Sequence, residues 1–335
     1  MAPVPDGAPS QGGHLKDPFD PRDHYYVPDP STQRPSQVDL RHDDLPYESA
    51  IYDQLHTNTC VANATSAAFW YEEKAGRHGE SWGEGGPSRL MIYWLARGAY
   101  KNKYLDISHP SDSGTFAREA MKAVAKCGVC PESDWPFDVD QVNTRPPNEA
   151  FAKASNHKIT YFYRLDFNRS ETETHQLTLE QKDTMGGILL DNLRGCLAEQ
   201  YPVVFGFWFR LMPSLSFDET QQPYVLKDVW NTPIKPFPRH VFQQDLSQEF
   251  RARDKSGQMV TLGGHTVLAI GYDDDRRQVL VQNSRGPAWG GSGTFWMPYA
   301  WITDCAATND FWTIRPTPIA AAKGWEEIHR DITSA

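Results

Sequence analysis

The chain has 335 residues, 39% hydrophobic and 12% aromatic, with 11 tryptophans; disordered chains lack such side chains, so one large domain or two lobes sharing a cleft are expected. The formal net charge of −10 is the wrong sign for phosphate, which sets nucleic acid aside as a partner. No segment approaches the ~18–20 continuous apolar residues of a membrane helix, and the first residues hold no apolar stretch suited to a signal peptide, so no membrane partner and a cytoplasmic location are expected.

Residues 1–37, rich in Pro, Gly and Asp, lack hydrophobic periodicity and read as an extended arm lying on the surface of the body. The globular part is expected to start near Val38-Asp39-Leu40-Arg41. After Cys60, the run VANATSAAFWYEEKAGRHG has helical apolar spacing and stop signals at Gly76 and Gly79, with Asn58 and Thr59 as N-cap residues. Ser88 to Ala99 predicts a second helix. Thr115 to Lys126 predicts a third, ended by Cys127-Gly128.

From about residue 156 the texture changes. HKITYFYRL reads as a strand, ILLDNLRGCLAEQ as a helix and YPVVFGFWF as a buried strand. Residues 213–258 carry five prolines and read as an insertion loop. Then HTVLAIGYDD, QVLVQNS and GTFWMP follow as three strands separated by turn residues. The expected fold class is α+β: a mainly helical lobe over about 38–140, a mainly β lobe over 141–314, and a tail over 315–335. No internal repeat is visible.

The five cysteines, Cys60, Cys127, Cys130, Cys196 and Cys305, are odd in number and sparse, which favours reduced thiols over a disulfide scaffold. A nucleophilic cysteine needs its thiolate favoured, by a helix N-terminus and by a partner imidazolium. Cys60 stands at a predicted helix start. Taken alone it would be a small buried residue, but Gln54 six residues upstream places an amide that can serve an oxyanion together with the Cys60 N–H. His265 precedes an apolar strand after Gly263-Gly264, and Asn283 closes the next strand-like run. A hairpin turning around Asp273–Arg276 would bring both to one end of adjacent strands, where Asn283 can hold the imidazole in the tautomer the thiol requires.

These segments resemble the papain family. Gln54-Leu-His-Thr-Asn-Thr-Cys60 is similar to its active-site segment, Gly264-His265-Thr-Val-Leu-Ala-Ile-Gly-Tyr272 to its histidine strand, and Gln282-Asn283-Ser284-Arg285-Gly286-Pro-Ala-Trp289-Gly290 to its asparagine motif. Weaker likenesses lie at Asp112-Ser113-Gly114, Trp135-Pro136-Phe137 and Tyr201-Pro202-Val203-Val204. The likeness covers about residues 38–314, and Asp20-Pro-Arg-Asp-His-Tyr-Tyr26 resembles the leader of microbial members.

The resemblance implies a two-lobed papain-like fold, a helical lobe bearing Cys60 and a β-barrel-like lobe bearing His265 and Asn283, with the cleft between them. It implies a cysteine peptidase acting on a peptide or protein substrate through an acyl thioester, with Gln54 beside the Cys60–His265–Asn283 triad. It further implies that Ser113, Gly114 and Thr266 line the cleft and that Trp289 packs near the His–Asn pair. No cofactor or metal is implied.

Departures from the pattern qualify this. Thr57 stands where secreted members carry a structural cysteine. Arg285 replaces the usual Trp and can shield Asn283, bind a substrate carboxylate or pair with a local Asp. About 38 residues precede the body, too few for a long inhibitory propeptide. His265 follows Cys60 by 205 positions, against about 130–150 in the family; much of the surplus lies in 213–258, expected to overhang the cleft. Two other readings keep the motifs: an acyl or peptidyl transferase with the same triad, and an inactive binding relative. Cys127-Gly-Val-Cys130 has the spacing of half a zinc site, but no second pair accompanies it.

Overall fold

The computed structural model describes residues 13–41, 51–77, 82–83, 85–98, 111–159, 161–168, 177–210, 242–244, 250–253, 259–305, 307–319, 322–324 and 327. Gly79, Ala99, most of 213–258 and much of 315–335 lie outside the described residues.

The helical lobe is built on α1 (Cys60–Lys74), almost wholly buried, with α2 (Arg89–Gly98), α3 (Ala117–Cys127) and the short α4 (Asn148–Ala154). Thr59 occupies the N-cap of α1 but makes no capping bond, contrary to expectation. Its hydroxyl instead accepts from Asn63 Nδ2 at 2.9 Å and shares a 2.7 Å contact with the Thr57 hydroxyl, so it is spent inside the turn. The third helix begins two residues later than predicted, because Gly114 (φ 80°) turns the chain and Thr115–Phe116 extend as a short strand. Gly128 ends α3 at φ 78°, and a Cβ there would lie 1.7 Å from the Ala154 carbonyl oxygen, so the stop also needs glycine sterically.

In chain order the strands are β1 (His14–Leu15), β2 (Gln37–Asp39), β3 (Thr115–Phe116), β4 (Tyr161–Arg164), β5 (Val203–Arg210), β6 (Phe242–Gln244), β7 (Phe250–Arg253), β8 (Met259–Asp273), β9 (Gln278–Gln282), β10 (Thr294–Pro298) and β11 (Thr308–Arg315). Helix α5 (Leu179–Ala198) precedes β5, opened by a capping box between Thr178 and Gln181; α6 (Tyr299–Ile302) follows β10. The main path runs β10-β9-β8-β5-β11-β4, with β2 and β7 also on β8. The fifteen-residue β8 is the spine of the lobe. Helix α1 packs against it, and one continuous core joins both lobes.

Among the described residues the sheet does not close, which corrects the barrel-like expectation. Closure needs the two end strands to pair, and the outer edge of β4 is already taken by the arm. Arg164 N donates to His24 O, and Tyr26 N donates to Arg164 O, both at 2.8 Å.

Over residues 13–26 the arm is therefore embedded rather than laid on the surface its composition suggested, whereas residues 28–37 are mostly exposed. His14, Asp17, Asp23, Tyr25 and Tyr26 are buried. The cause is charge. Arg164, with a fully buried side chain, meets Asp17 (3.2 Å) and Asp23 (3.6 Å) of the arm together with Asp166 (2.9 Å) and Asp310 (2.5 Å). Arg118 adds a 2.6 Å pair to Asp23 and donates through Nη1 to Pro18 O at 2.6 Å. Trp312 Nε1 donates to Asp17 at 2.9 Å. Buried carboxylates are tolerable only when paired in this way.

Replacing Arg164 by Met would take the arginine partner from buried Asp17, Asp166 and Asp310 and leave Asp23 with Arg118 alone. The expected result is a loss of about 3–5 kcal/mol in denaturant-unfolding stability, with new proteolytic cuts in residues 16–24. An unchanged unfolding midpoint would show that the arm is held otherwise.

Candidate active site

Cys60 opens α1 with no exposed surface. The loop ahead of it is fixed from several sides. Gln54 N donates to Ser284 O at 3.0 Å, Leu55 adopts φ 52°, and Asn58 N donates to the Asp112 carboxylate at 2.9 Å. Tyr93 ties this carboxylate to the neighbouring cleft wall, its hydroxyl donating to Asp112 at 2.7 Å and accepting from Gly114 N at 2.9 Å. In the sequence Asp112 shows only as a weak likeness, and Tyr93, one of two aromatics on α2, carries no motif.

The β8–β9 hairpin forms as anticipated, turning through Asp274–Arg277 with Leu268 opposite Gln282. His265 and Asn283 thus share one end, and His265 Nε2 lies 2.7 Å from Asn283 Oδ1. Ser284 N also donates to this oxygen at 2.8 Å, which fixes the amide orientation. An amide oxygen only accepts, so Nε2 carries the proton and Nδ1 is the basic nitrogen. The ring of Phe207 meets His265 edge-on at 5.7 Å. The Trp289 ring meets Phe295 edge-on at 5.7 Å, and Phe295 lies 6.5 Å from Phe207.

The Cys60 sulfur faces Thr266, the residue after His265. Burial pushes its thiol up to about 11; the Thr266 backbone N–H and hydroxyl, the Arg285 charge and the Val61 N–H oppose that rise. Burial likewise drives His265 down to about 3, helped by Arg285 and opposed by the Asn283 hydrogen bond. Burial thus disfavours the charged form of both groups.

Gln54 is buried at 3% exposure. Its Nε2 donates to Thr57 O at 2.6 Å, and its Oε1 accepts from the Ser284 hydroxyl at 2.5 Å. One amide hydrogen is thereby committed to the loop, and the link to Ser284 joins the two lobes. Arg285 is exposed and pairs through its backbone with Asp53, while its Nη1 donates to Leu55 O at 3.0 Å. Ser113 is half-buried and Gly114 buried.

The arm reaches this same region, although it is short. Thr115 N donates to Gly13 O at 3.0 Å, and a Cβ on Gly13 would come within 2.1 Å of Asn58 O. The His14 ring touches Thr266 through Oγ1 at 3.0 Å. No feature of the sequence pointed to His14 or to its partner Asn309. Among the described residues no group of His, Cys, Asp and Glu suited to a metal ion is found, and no helix is long and apolar enough to cross a membrane. None of the five cysteines is in a disulfide.

No family model matches the chain. A curated relative, an uncharacterized peptidase C1-like protein of Acanthamoeba polyphaga mimivirus, is 29% identical over 271 residues, covering 81% of this chain and 71% of its own length. Among solved structures, the cysteine protease xylellain from Xylella fastidiosa superposes with a TM-score of 0.63 at 28% identity, covering 94% of this chain and 100% of that one. A digestive procathepsin L 3 from the larval midgut of Tenebrio molitor gives 0.53 at 15% identity over 90% and 76%, a likeness of fold alone. With a helical lobe, an open β-sheet lobe among the described residues and five cysteines outside any disulfide, the chain has the papain-like cysteine peptidase fold and is related to microbial and viral C1-like peptidases.

Proposed function

We propose that the protein hydrolyses peptide bonds, with Cys60 as nucleophile, His265 as general base and then acid, and Asn283 as the residue that positions His265. The observation that carries this reading is the 2.7 Å His265 Nε2–Asn283 Oδ1 hydrogen bond. It assigns the basic lone pair to Nδ1 on the strand that faces Cys60. The Cys60 proton passes to His265, and the thiolate attacks the substrate carbonyl. The Cys60 N–H at the head of α1 and the second amide hydrogen of Gln54 stabilise the oxyanion. Collapse expels the amine, which takes the proton from His265. Water, deprotonated by His265, then cleaves the thioester and releases the acid.

The substrate backbone would lie along Ser113-Gly114 and Thr266. There the arm already engages β3 through Gly13 O and Thr115 N, so the arm must move aside before substrate enters. Arg285, exposed beside the pair, offers a guanidinium to a substrate carboxylate, and Trp289 backs the aromatic cluster behind His265. Five cysteines outside any disulfide suit a reducing, cytoplasmic setting.

Cys60→Ala should abolish cleavage of a fluorogenic peptide, and His265→Ala should lower kcat/KM by about 10²–10⁴-fold, with circular dichroism unchanged in both. Retention of full activity in either variant rejects the assignment.

The raised thiol makes a second prediction. With the arm in place, iodoacetamide labelling of Cys60 should be slow at pH 7 and rise about tenfold per pH unit toward pH 11, because the thiolate fraction sets the rate. Arg164→Met, by loosening the arm and hydrating the site, should accelerate labelling at pH 7. Mass spectrometry reads both; a flat pH profile in the intact chain contradicts the account.

A further inference from the structure

His14 sits in a slot shaped to its ring. A Cβ on Gly206 of β5 would lie 2.1 Å from His14 Nε2, and one on Gly264 of β8 would lie 2.4 Å from the His14 carbonyl oxygen. These strands are neighbours, with Gly206 opposite Thr266 and Trp208 opposite Gly264. Two glycines therefore remove the side chains that would otherwise fill the space. The Trp208 ring supplies another wall, its centroid 5.6 Å from the imidazole.

The polar contacts are as specific as the shape. With its amide nitrogen toward the slot, Asn309 donates to His14 Nε2 at 2.7 Å and to Asp310 Oδ2 at 3.0 Å, while its oxygen accepts from Trp208 Nε1 at 2.8 Å. Every polar atom of that amide is then used in its proper sense. Nε2 must offer a lone pair, so the proton resides on Nδ1, which donates to Thr266 Oγ1 at 3.0 Å. The slot reads one donor and one acceptor on a five-membered ring. A phenyl or alkyl side chain would leave the buried Asn309 and Thr266 groups unpaired, a loss that polar sites punish severely. Burial also lowers the pKa of His14, consistent with a neutral ring.

Resting on the peptidase reading above, we propose that this slot is a histidine-reading subsite beside the Cys60–His265 pair. Asn309 and Thr266 are its specificity-determining residues, preferred peptide substrates present a histidine side chain to it, and His14 of the arm is its resident occupant.

Full-length His14→Gly protein empties the slot without shortening the chain. Millimolar imidazole should raise its Tm and slow Cys60 alkylation saturably. Pyrrole, which lacks the acceptor, and thiazole, which lacks the N–H donor, should bind at least tenfold more weakly. Adding Asn309→Leu should erase the preference for imidazole. Equal binding of the three probes, or no binding of imidazole, overturns the proposal. On a peptide library the His14→Gly protein should show kcat/KM at least tenfold higher for histidine than for phenylalanine or leucine at the position sensitive to Asn309→Leu; a flat profile there also overturns it. Selective imidazole binding without any peptide turnover would instead reject the peptidase reading alone. If His14→Gly does not fold, the unaltered chain still decides: ¹⁵N shifts of the His14 ring should report the Nδ1–H tautomer, and the Nε2–H tautomer would refute the slot chemistry.

Discussion

A single guanidinium without solvent contact organises much of this molecule. Arg164 ends β4 at the edge of the sheet, where its charge must be met from within the protein. Asp166 and Asp310 come from the β lobe, whereas Asp17 and Asp23 come from the arm. Withdrawing the arm would leave its partners to be hydrated or unpaired, and this penalty holds the Pro- and Asp-rich segment 13–26 in the body. Four carboxylates around Arg164, with Arg118 adding a second positive charge, leave an excess of negative charge. Burial first, and then the charge of Asp17, raise Asp310 well above the usual carboxylate range.

The same anchoring decides what the active-site region looks like. Asp17 N donates to Asp310 Oδ2 at 2.7 Å, so the segment just before it is delivered to β3 and β8. There Gly13 packs on Gly114 and Asn58, and His14 enters its slot. Burial in the covered site disfavours the charged forms of the Cys60 thiol and the His265 imidazole, because charge is costly without water. Under the proposed mechanism, uncovering the cleft would also hydrate Cys60 and His265 and favour the thiolate–imidazolium form, which would link reactivity to access through one segment of chain.

Rigidity on the other side comes from contacts between lobes. Ser284 binds Gln54 through both backbone and side chain, and Asn283 is oriented by the N–H of Ser284. The residues that bear on Cys60 and His265 thus interlock across the cleft rather than standing on separate loops. Such cross-bracing is how a site keeps the short tolerances that acyl transfer demands.

Local chemistry was legible in the sequence wherever a motif and its periodicity coincided. Helical spacing located α1, and the alternation of turn residues with β-branched runs located β5, β8, β9 and β10. The Gln54–Cys60, His265 and Asn283 segments carried the family likeness. By contrast β11 escaped because Thr308, Asn309, Asp310, Thr313 and Arg315 make it read as polar, and only their buried partners explain them. The open sheet, the burial of the arm and the pairing of His14 with Asn309, 295 positions apart, were decided by tertiary structure. Periodicity reports which face of a segment is apolar, but a buried ion pair or a polar slot depends on which distant groups meet, and no local pattern encodes that meeting.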